Sequence, residues 1–151
     1  MSTEKHFVVL MVDDDDDDWL LVKEAFAESQ FTCDFELDLR RVKDGLELVD
    51  YLDDCNNGAD QKGPLPNLIL LDLNMPRMHG KDALKWVKSH PTCRGIPVVI
   101  FTTSTERADA VECYQYGSSS FLEKPHSYDS LKEMIQTLCD YWVCVSQLPG
   151  G

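Results

Sequence analysis

Residues 68–73 read Leu68-Ile69-Leu70-Leu71-Asp72-Leu73. Four consecutive aliphatic residues leave no polar face, so the segment predicts a strand covered on both sides, as in parallel α/β sheets. The run meets a carboxylate at Asp72, and Pro76 and Gly80 break the chain beyond it. On the N-terminal side, Cys55–Pro66 is polar and rich in Gly, Pro and Asn, which predicts a surface loop. Before it, Leu46, Val49 and Leu52 mark a helical face over Gly45–Asp54, and Phe35–Val42 alternates as a strand. Phe7–Val12 is a second apolar run, read as a buried strand. The spacing of Trp19, Val22 and Phe26 predicts a helix from Asp16 to Ser29.

On the C-terminal side, Lys81–Ser89 reads as a helix with Ala83, Leu84 and Val87 inward. Ile96–Phe101 is a further strand. Arg107–Tyr116 is a helix stopped by Gly117. Ser120–Glu123 is a short strand limited by Pro125. Tyr128–Ser146 is the last helix, with Leu131, Ile135, Leu138, Trp142 and Val145 on one stripe. Five strands alternating with five helices imply an α/β fold: a doubly wound parallel sheet joined by right-handed crossovers. Ligands in such folds sit beyond the carboxyl ends of the strands.

Of 151 residues, 14 are Lys or Arg and 27 are Asp or Glu, for a formal charge of −13. The length suits one domain with a real core, over residues 1–151, with residues 141–151 as a C-terminal helical extension and tail. The acidic balance argues against nucleic acid or an anionic membrane as partner, because phosphate contacts need clustered Lys and Arg. No apolar run approaches the roughly 20 residues of a membrane span. Met1–His6 is polar and lacks a signal core, so a cytoplasmic location is expected. The six cysteines form no CxxC pair and accompany no His cluster, so free thiols are expected rather than a zinc site.

The residues at the strand ends carry the chemistry. The first strand runs into Asp13 and Asp14, the third into Asp72, the fourth into Thr102, Thr103 and Ser104, and the fifth into Lys124 and Pro125. Three converging carboxylates repel one another and raise each other's pKa. A hard divalent cation such as Mg²⁺, which prefers oxygen ligands, relieves that repulsion. With an ammonium alongside, the edge looks built to hold a phosphoryl group. Each feature alone has a plainer meaning. Asp15–Asp18 reads as a solvated acidic turn that caps a helix. A lone Asp after a strand is often a cap, and a lone Lys-Pro a turn. Their joint occurrence at four strand ends is what points to phosphoryl chemistry.

Val12-Asp13-Asp14, Leu71 through Pro76 to Gly80, Phe101-Thr102-Thr103 and Glu123-Lys124-Pro125 resemble the four signatures of response-regulator receiver domains of two-component signalling. The resemblance spans about residues 7–140. The Cys55–Pro66 loop, the segment 72–80 and the tail from Tyr141-Trp142 to Leu148-Pro149 resemble stand-alone receivers associated with phytochrome-type histidine kinases. This implies a flavodoxin-like receiver fold with strand order 2-1-3-4-5. Asp72 would be the phosphoacceptor. Asp14 would bind Mg²⁺ directly, Asp13 would help through water, and the backbone carbonyl of Asn74 would complete the protein's share of the shell. Thr102 would hydrogen-bond the phosphoryl group, Lys124 would pair with its oxygens, and Phe121 would be the aromatic switch. The Lys124–Pro125 bond would be cis. His79 stands where many members carry Asp; it lies outside the acid pocket and is expected to be a surface loop residue.

The resemblance further implies a sensor histidine kinase as phosphodonor and an unidentified downstream protein as target. The signal would leave by the face of the fourth helix, fifth strand and fifth helix. The protein would be a signalling domain, not an enzyme acting on a separate substrate. The apolar tail Tyr141–Val145 leaves two expectations: completion of the last helix's packing, or a contact in a homodimer. A haloacid-dehalogenase-type phosphatase would need an acid at the position of Asn74 and its nucleophile on the first strand. A flavodoxin-like electron carrier would need a hydroxyl- and Gly-rich loop where six Asp stand. A degenerate receiver would lack acceptor-site residues that are all present here.

Overall fold

The structure is a computed structural model, and it describes residues 5–30, 35–56 and 65–145. Strands β1 (Lys5–Val12), β2 (Phe35–Val42), β3 (Leu68–Leu71), β4 (Val98–Thr102) and β5 (Ser120–Glu123) form one parallel sheet in the order β2-β1-β3-β4-β5. Helices α1 (Asp16–Glu28), α2 (Gly45–Asn56), α3 (Gly80–Ser89), α4 (Arg107–Gln115) and α5 (Tyr128–Leu138) alternate with them. The register sets Val12 beside both Val42 and Leu71, and Leu71 beside Ile100. The residues that follow β1 and β3 therefore emerge side by side at one edge.

The apolar strands are apolar because helices cover both sheet faces. Alternate residues of β1, β3 and β4 divide between two cores. Leu10, Val12, Ile69, Leu71, Val98 and Ile100 pack against α2 and α3. Val9, Met11, Leu68, Leu70, Val99 and Phe101 pack against α1 and α5. Helix starts follow ordinary capping chemistry. Asp15 accepts from the Asp18 amide at 3.0 Å, and Ser127 from the Ser130 amide at 3.2 Å. His79 is exposed, and its Nδ1 accepts from the Lys81 amide at 3.1 Å, so an imidazole caps α3. Gly117 ends the turn after α4 with φ of 102°, in the region that side chains disfavour.

Gly80 is required by proximity. A Cβ there would lie 2.6 Å from Leu73 Cα and closer still to the carbonyl oxygen of Asp72. Both obstacles are backbone and cannot rotate away. Gly80→Ala is expected to destabilise the fold by about 1–3 kcal/mol and to displace the turn after Asp72; chemical denaturation and amide shifts at residues 72–75 report the two effects.

Three expectations need correction. The last helix does not run regularly to Ser146. It is α-helical to Leu138 and continues as a π-helical stretch, Cys139–Val145. An i→i+5 turn rotates the stripe predicted at 3.6 spacing. Trp142 and Val143 consequently pack on the core, while Tyr141 is 53% exposed with its ring edge-on to Trp142. The tail, expected either to complete the last helix's packing or to make a homodimer contact, is partly covered within the chain; Leu148 and Pro149 lie outside the described residues. Cys144 is disulfide-bonded rather than free, whereas Cys93, Cys113 and Cys139 carry free thiols. Pairing follows tertiary approach, which spacing along the chain does not encode. Finally, no peptide bond among the described residues is cis, so Lys124–Pro125 is trans, the isomer that an X–Pro amide intrinsically favours.

Candidate phosphoryl-accepting site

The carboxyl edge of the sheet assembles residues from four strand ends. After β1, the Asp13 amide donates to the Val42 carbonyl at 3.1 Å, which anchors the acid turn to β2. Asp13 is 1% exposed, and its Oδ1 accepts from the Asp15 amide at 2.9 Å. Asp14 points to solvent. After β3, the Asp72 amide donates to the Val12 carbonyl at 3.0 Å, and the buried Asp72 side chain accepts from the Asn74 amide at 3.4 Å. One carboxylate oxygen from each of Asp13, Asp14 and Asp72 lies within 4.8 Å of the others.

Thr102 closes β4, fully buried, and its hydroxyl accepts from the Ser104 amide at 3.3 Å. Just beyond β5, the Lys124 amide donates to the Thr102 carbonyl at 2.7 Å. The Lys124 ammonium then reaches back over the site. Nζ is 2.7 Å from Asp13, 2.6 Å from Asp18 and 3.6 Å from Asp72.

Burial works against charge here. It raises the Asp13 and Asp72 carboxyls above their ordinary value, although Lys124 and backbone amides pull both back down. Burial alone would depress Lys124. Its hydrogen bonds to Asp13 and Asp18 outweigh that, and the ammonium sits well above its usual range. The site therefore holds one cation against four carboxylates and carries excess negative charge. A hard, oxygen-preferring divalent cation fits this donor set: two buried carboxylates short of positive charge, and an exposed third that leaves an approach from solvent.

The turn between β3 and α3 is held from outside the acid cluster. Arg77 is the one non-glycine among the described residues with positive φ, at 67°. Its guanidinium binds the buried Asp44 carboxylate, with Nε at 2.7 Å and a terminal nitrogen at 2.6 Å. Asp44 also accepts from the Glu47 amide at 2.9 Å and so caps α2. Burial pushes the Asp44 carboxyl up, but the Glu47 amide and Arg77 overcome this and hold it below its ordinary 3.8. A carboxyl lowered on folding adds stability above its unfolded pKa and loses it as pH falls through its folded value. Asp44→Asn is therefore expected to cost about 1 kcal/mol at neutral pH. The gap from wild type closes in acid, below about pH 4, as urea melts across pH would show.

Phe121 is half-buried against the α2–α3 core, and its amide donates to the Tyr114 hydroxyl at 3.1 Å. Near Thr102, Ser104 donates to Asp109 at 2.6 Å, and Lys81 bridges Asp109 and Glu112 at 2.6 Å each. These contacts tie the β4–α4 turn to α3.

All the sequence-predicted positions except Phe121 meet at one edge: Asp13, Asp14, Asp72, Asn74, Thr102 and Lys124. Phe121 lies within β5, packed against the α2–α3 core. The sequence reading missed Asp18, which was placed in a solvated run, and it missed the Asp44–Arg77 clasp. No local signal marks Asp18, because Asp14 precedes α1 and the partner Lys124 lies 106 residues away. Asp16, by contrast, is 73% exposed and pairs with Arg41 at 2.8 Å.

Known proteins match this arrangement over most of the chain. The family model described as response regulator receiver domain matches residues 9–136. Response regulator Rcp1 of Synechocystis is 36% identical over 95% of this chain and 94% of its own length. The crystal structure of the Mn²⁺-bound form of Rcp1 superposes with a TM-score of 0.82 at 33% identity, covering 95% of this chain and 99% of that one. The phosphorylated cyanobacterial phytochrome response regulator RcpA superposes at 0.83 with 31% identity, covering 95% and 99%. With the strand order, the strand-end acids and the lysine all in place, the chain belongs to the response regulator receiver domain family.

Proposed function

We propose that this protein is a phosphoacceptor switch. It takes a phosphoryl group from a sensor histidine kinase, of phytochrome type, onto Asp72 and passes the signal to a partner protein. The observation that carries this reading is the meeting of Asp13, Asp14 and Asp72 within 4.8 Å, with the Lys124 ammonium 3.6 Å from the proposed nucleophile. The kinship with phytochrome-linked RcpA supports the choice of donor.

A carboxylate oxygen of Asp72 attacks phosphorus in line, the P–N bond to the kinase's phosphohistidine breaks, the imidazole leaves with the electron pair, and an aspartyl phosphate forms. Asp13, Asp14, Asp72 and the Asn74 carbonyl would hold Mg²⁺, which when bound neutralises charge on the transferring oxygens. Lys124 meets a phosphoryl oxygen as a compact, permanently charged donor. Thr102, whose side chain already hydrogen-bonds Asp72, moves toward the new acceptor and donates its hydroxyl to it. That motion drags the β4–α4 turn and frees space for Phe121, whose amide connects to α4 through the Tyr114 hydroxyl. The face of α4, β5 and α5 changes as a two-state unit. Tyr141 and the groove between β5 and α5, lined by Leu122, Met134, Leu138 and Trp142, offer that face an apolar surface for a downstream protein or a second copy.

Acetyl phosphate with Mg²⁺ should add one phosphoryl group to the intact mass. No mass change with either acetyl phosphate or a phosphorylated histidine kinase would refute the reading.

A further inference from the structure

Asp18 lies in the first turn of α1, yet its carboxylate is only 31% exposed and turns toward the site. It sits 2.6 Å from Lys124 Nζ, shorter than either other contact of that ammonium. Its own amide donates to the Asp15 side chain at 3.0 Å, which holds the backbone of that turn. Of the outer acids, Asp16 is committed to Arg41 and Asp17 is exposed. Asp18 alone reaches into the site. It is also outside the group of three carboxylates that could share a cation.

A division of labour follows. Lys124 has two close carboxylates, Asp13 and Asp18, and stands farther from Asp72. A cation on Asp13, Asp14 and Asp72 neutralises Asp13 and loosens its hold on the ammonium. Asp18 keeps its charge and remains the one competitor for Lys124. We propose that Asp18 is a positioning residue that tethers Lys124 away from Asp72, so that a phosphoryl group on Asp72 must win the ammonium from it. Resting on the phosphoacceptor reading, this adds a control on how strongly the site holds a phosphoryl anion. Removing the tether tightens that hold.

The test measures the affinity for beryllium fluoride, a phosphoryl mimic, by ¹⁹F NMR at saturating Mg²⁺. Mg²⁺ saturation is checked separately for each variant, and melting curves verify folding. Asp18→Asn is expected to bind the mimic more tightly, on the order of fivefold. Asp17→Asn removes the same charge from the same turn without touching Lys124, and should leave the affinity near wild type. Asp18→Glu, which keeps the carboxylate, should restore it toward wild type. Unchanged or weaker binding by Asp18→Asn overturns the proposal, as does equal tightening by Asp17→Asn. Wild type that binds the mimic while Asp18→Asn shows no gain sinks this inference alone. Wild type that never binds the mimic sinks the phosphoacceptor reading with it.

Discussion

Asp72→Asn is expected to abolish phosphodonor-dependent modification. The carboxylate is the only nucleophile on that strand end, and its amide replacement cannot form an acyl phosphate. The substitution nearly preserves shape, so loss of labelling would not come from collapse of the site. The same change removes a buried negative charge that burial already disfavours. Asp72→Asn should therefore melt no lower than wild type in metal-free buffer at neutral pH. A variant that unfolds early would show that the Asp72 carboxylate supports the fold rather than straining it. Intact mass and melting temperature, measured on one preparation, separate the two effects.

The second large effect concerns Mg²⁺. A cation that binds only the folded state stabilises it by mass action: at a hundredfold excess over its dissociation constant, about 2.7 kcal/mol. In a domain of this size that is a rise of roughly 5–11 °C in melting temperature. Asp14→Ala is expected to lose most of the rise, because Asp14 is the exposed member of the acidic triad and its removal leaves the core intact. The pH dependence has a definite sign. Burial raises the Asp13 and Asp72 carboxyls on folding. Groups raised in this way cost stability as pH climbs from the ordinary carboxylate value through their folded values. Mg²⁺ offsets that cost, so its stabilisation should be greatest at neutral pH and shrink toward pH 4. Differential scanning calorimetry across pH, with and without Mg²⁺, checks both statements. An equal Mg²⁺ shift in wild type and Asp14→Ala would move the cation to Asp15–Asp18.

Much of this architecture is legible in the residue pattern, and the reason is burial. Leu68–Leu71 and residues 98–101 are covered on both faces, so their sequences have no polar positions and announce central parallel strands. Asp13, Asp72 and Thr102 are legible because each directly follows such a run, and Asp14 and Lys124 because they stand just beyond strand ends beside them. What was not legible depends on contacts distant in sequence. Asp18 meets Lys124 across 106 residues, and Arg77 meets Asp44 across 33. A run of six Asp gives no local reason to single out the sixth. The π-helical stretch at Cys139–Val145 escaped for another reason: apolar residues all round the helix match every period equally.

The central claim is that Asp72, and no other carboxylate of this acidic chain, takes the phosphoryl group. Its most direct test is to treat the protein with acetyl phosphate and Mg²⁺, reduce the acyl phosphate with borohydride, and locate the product by peptide mass spectrometry. The account predicts conversion of residue 72 alone to homoserine, dependent on Mg²⁺. Conversion at Asp13, Asp14 or Asp18, or no conversion at all, would contradict it.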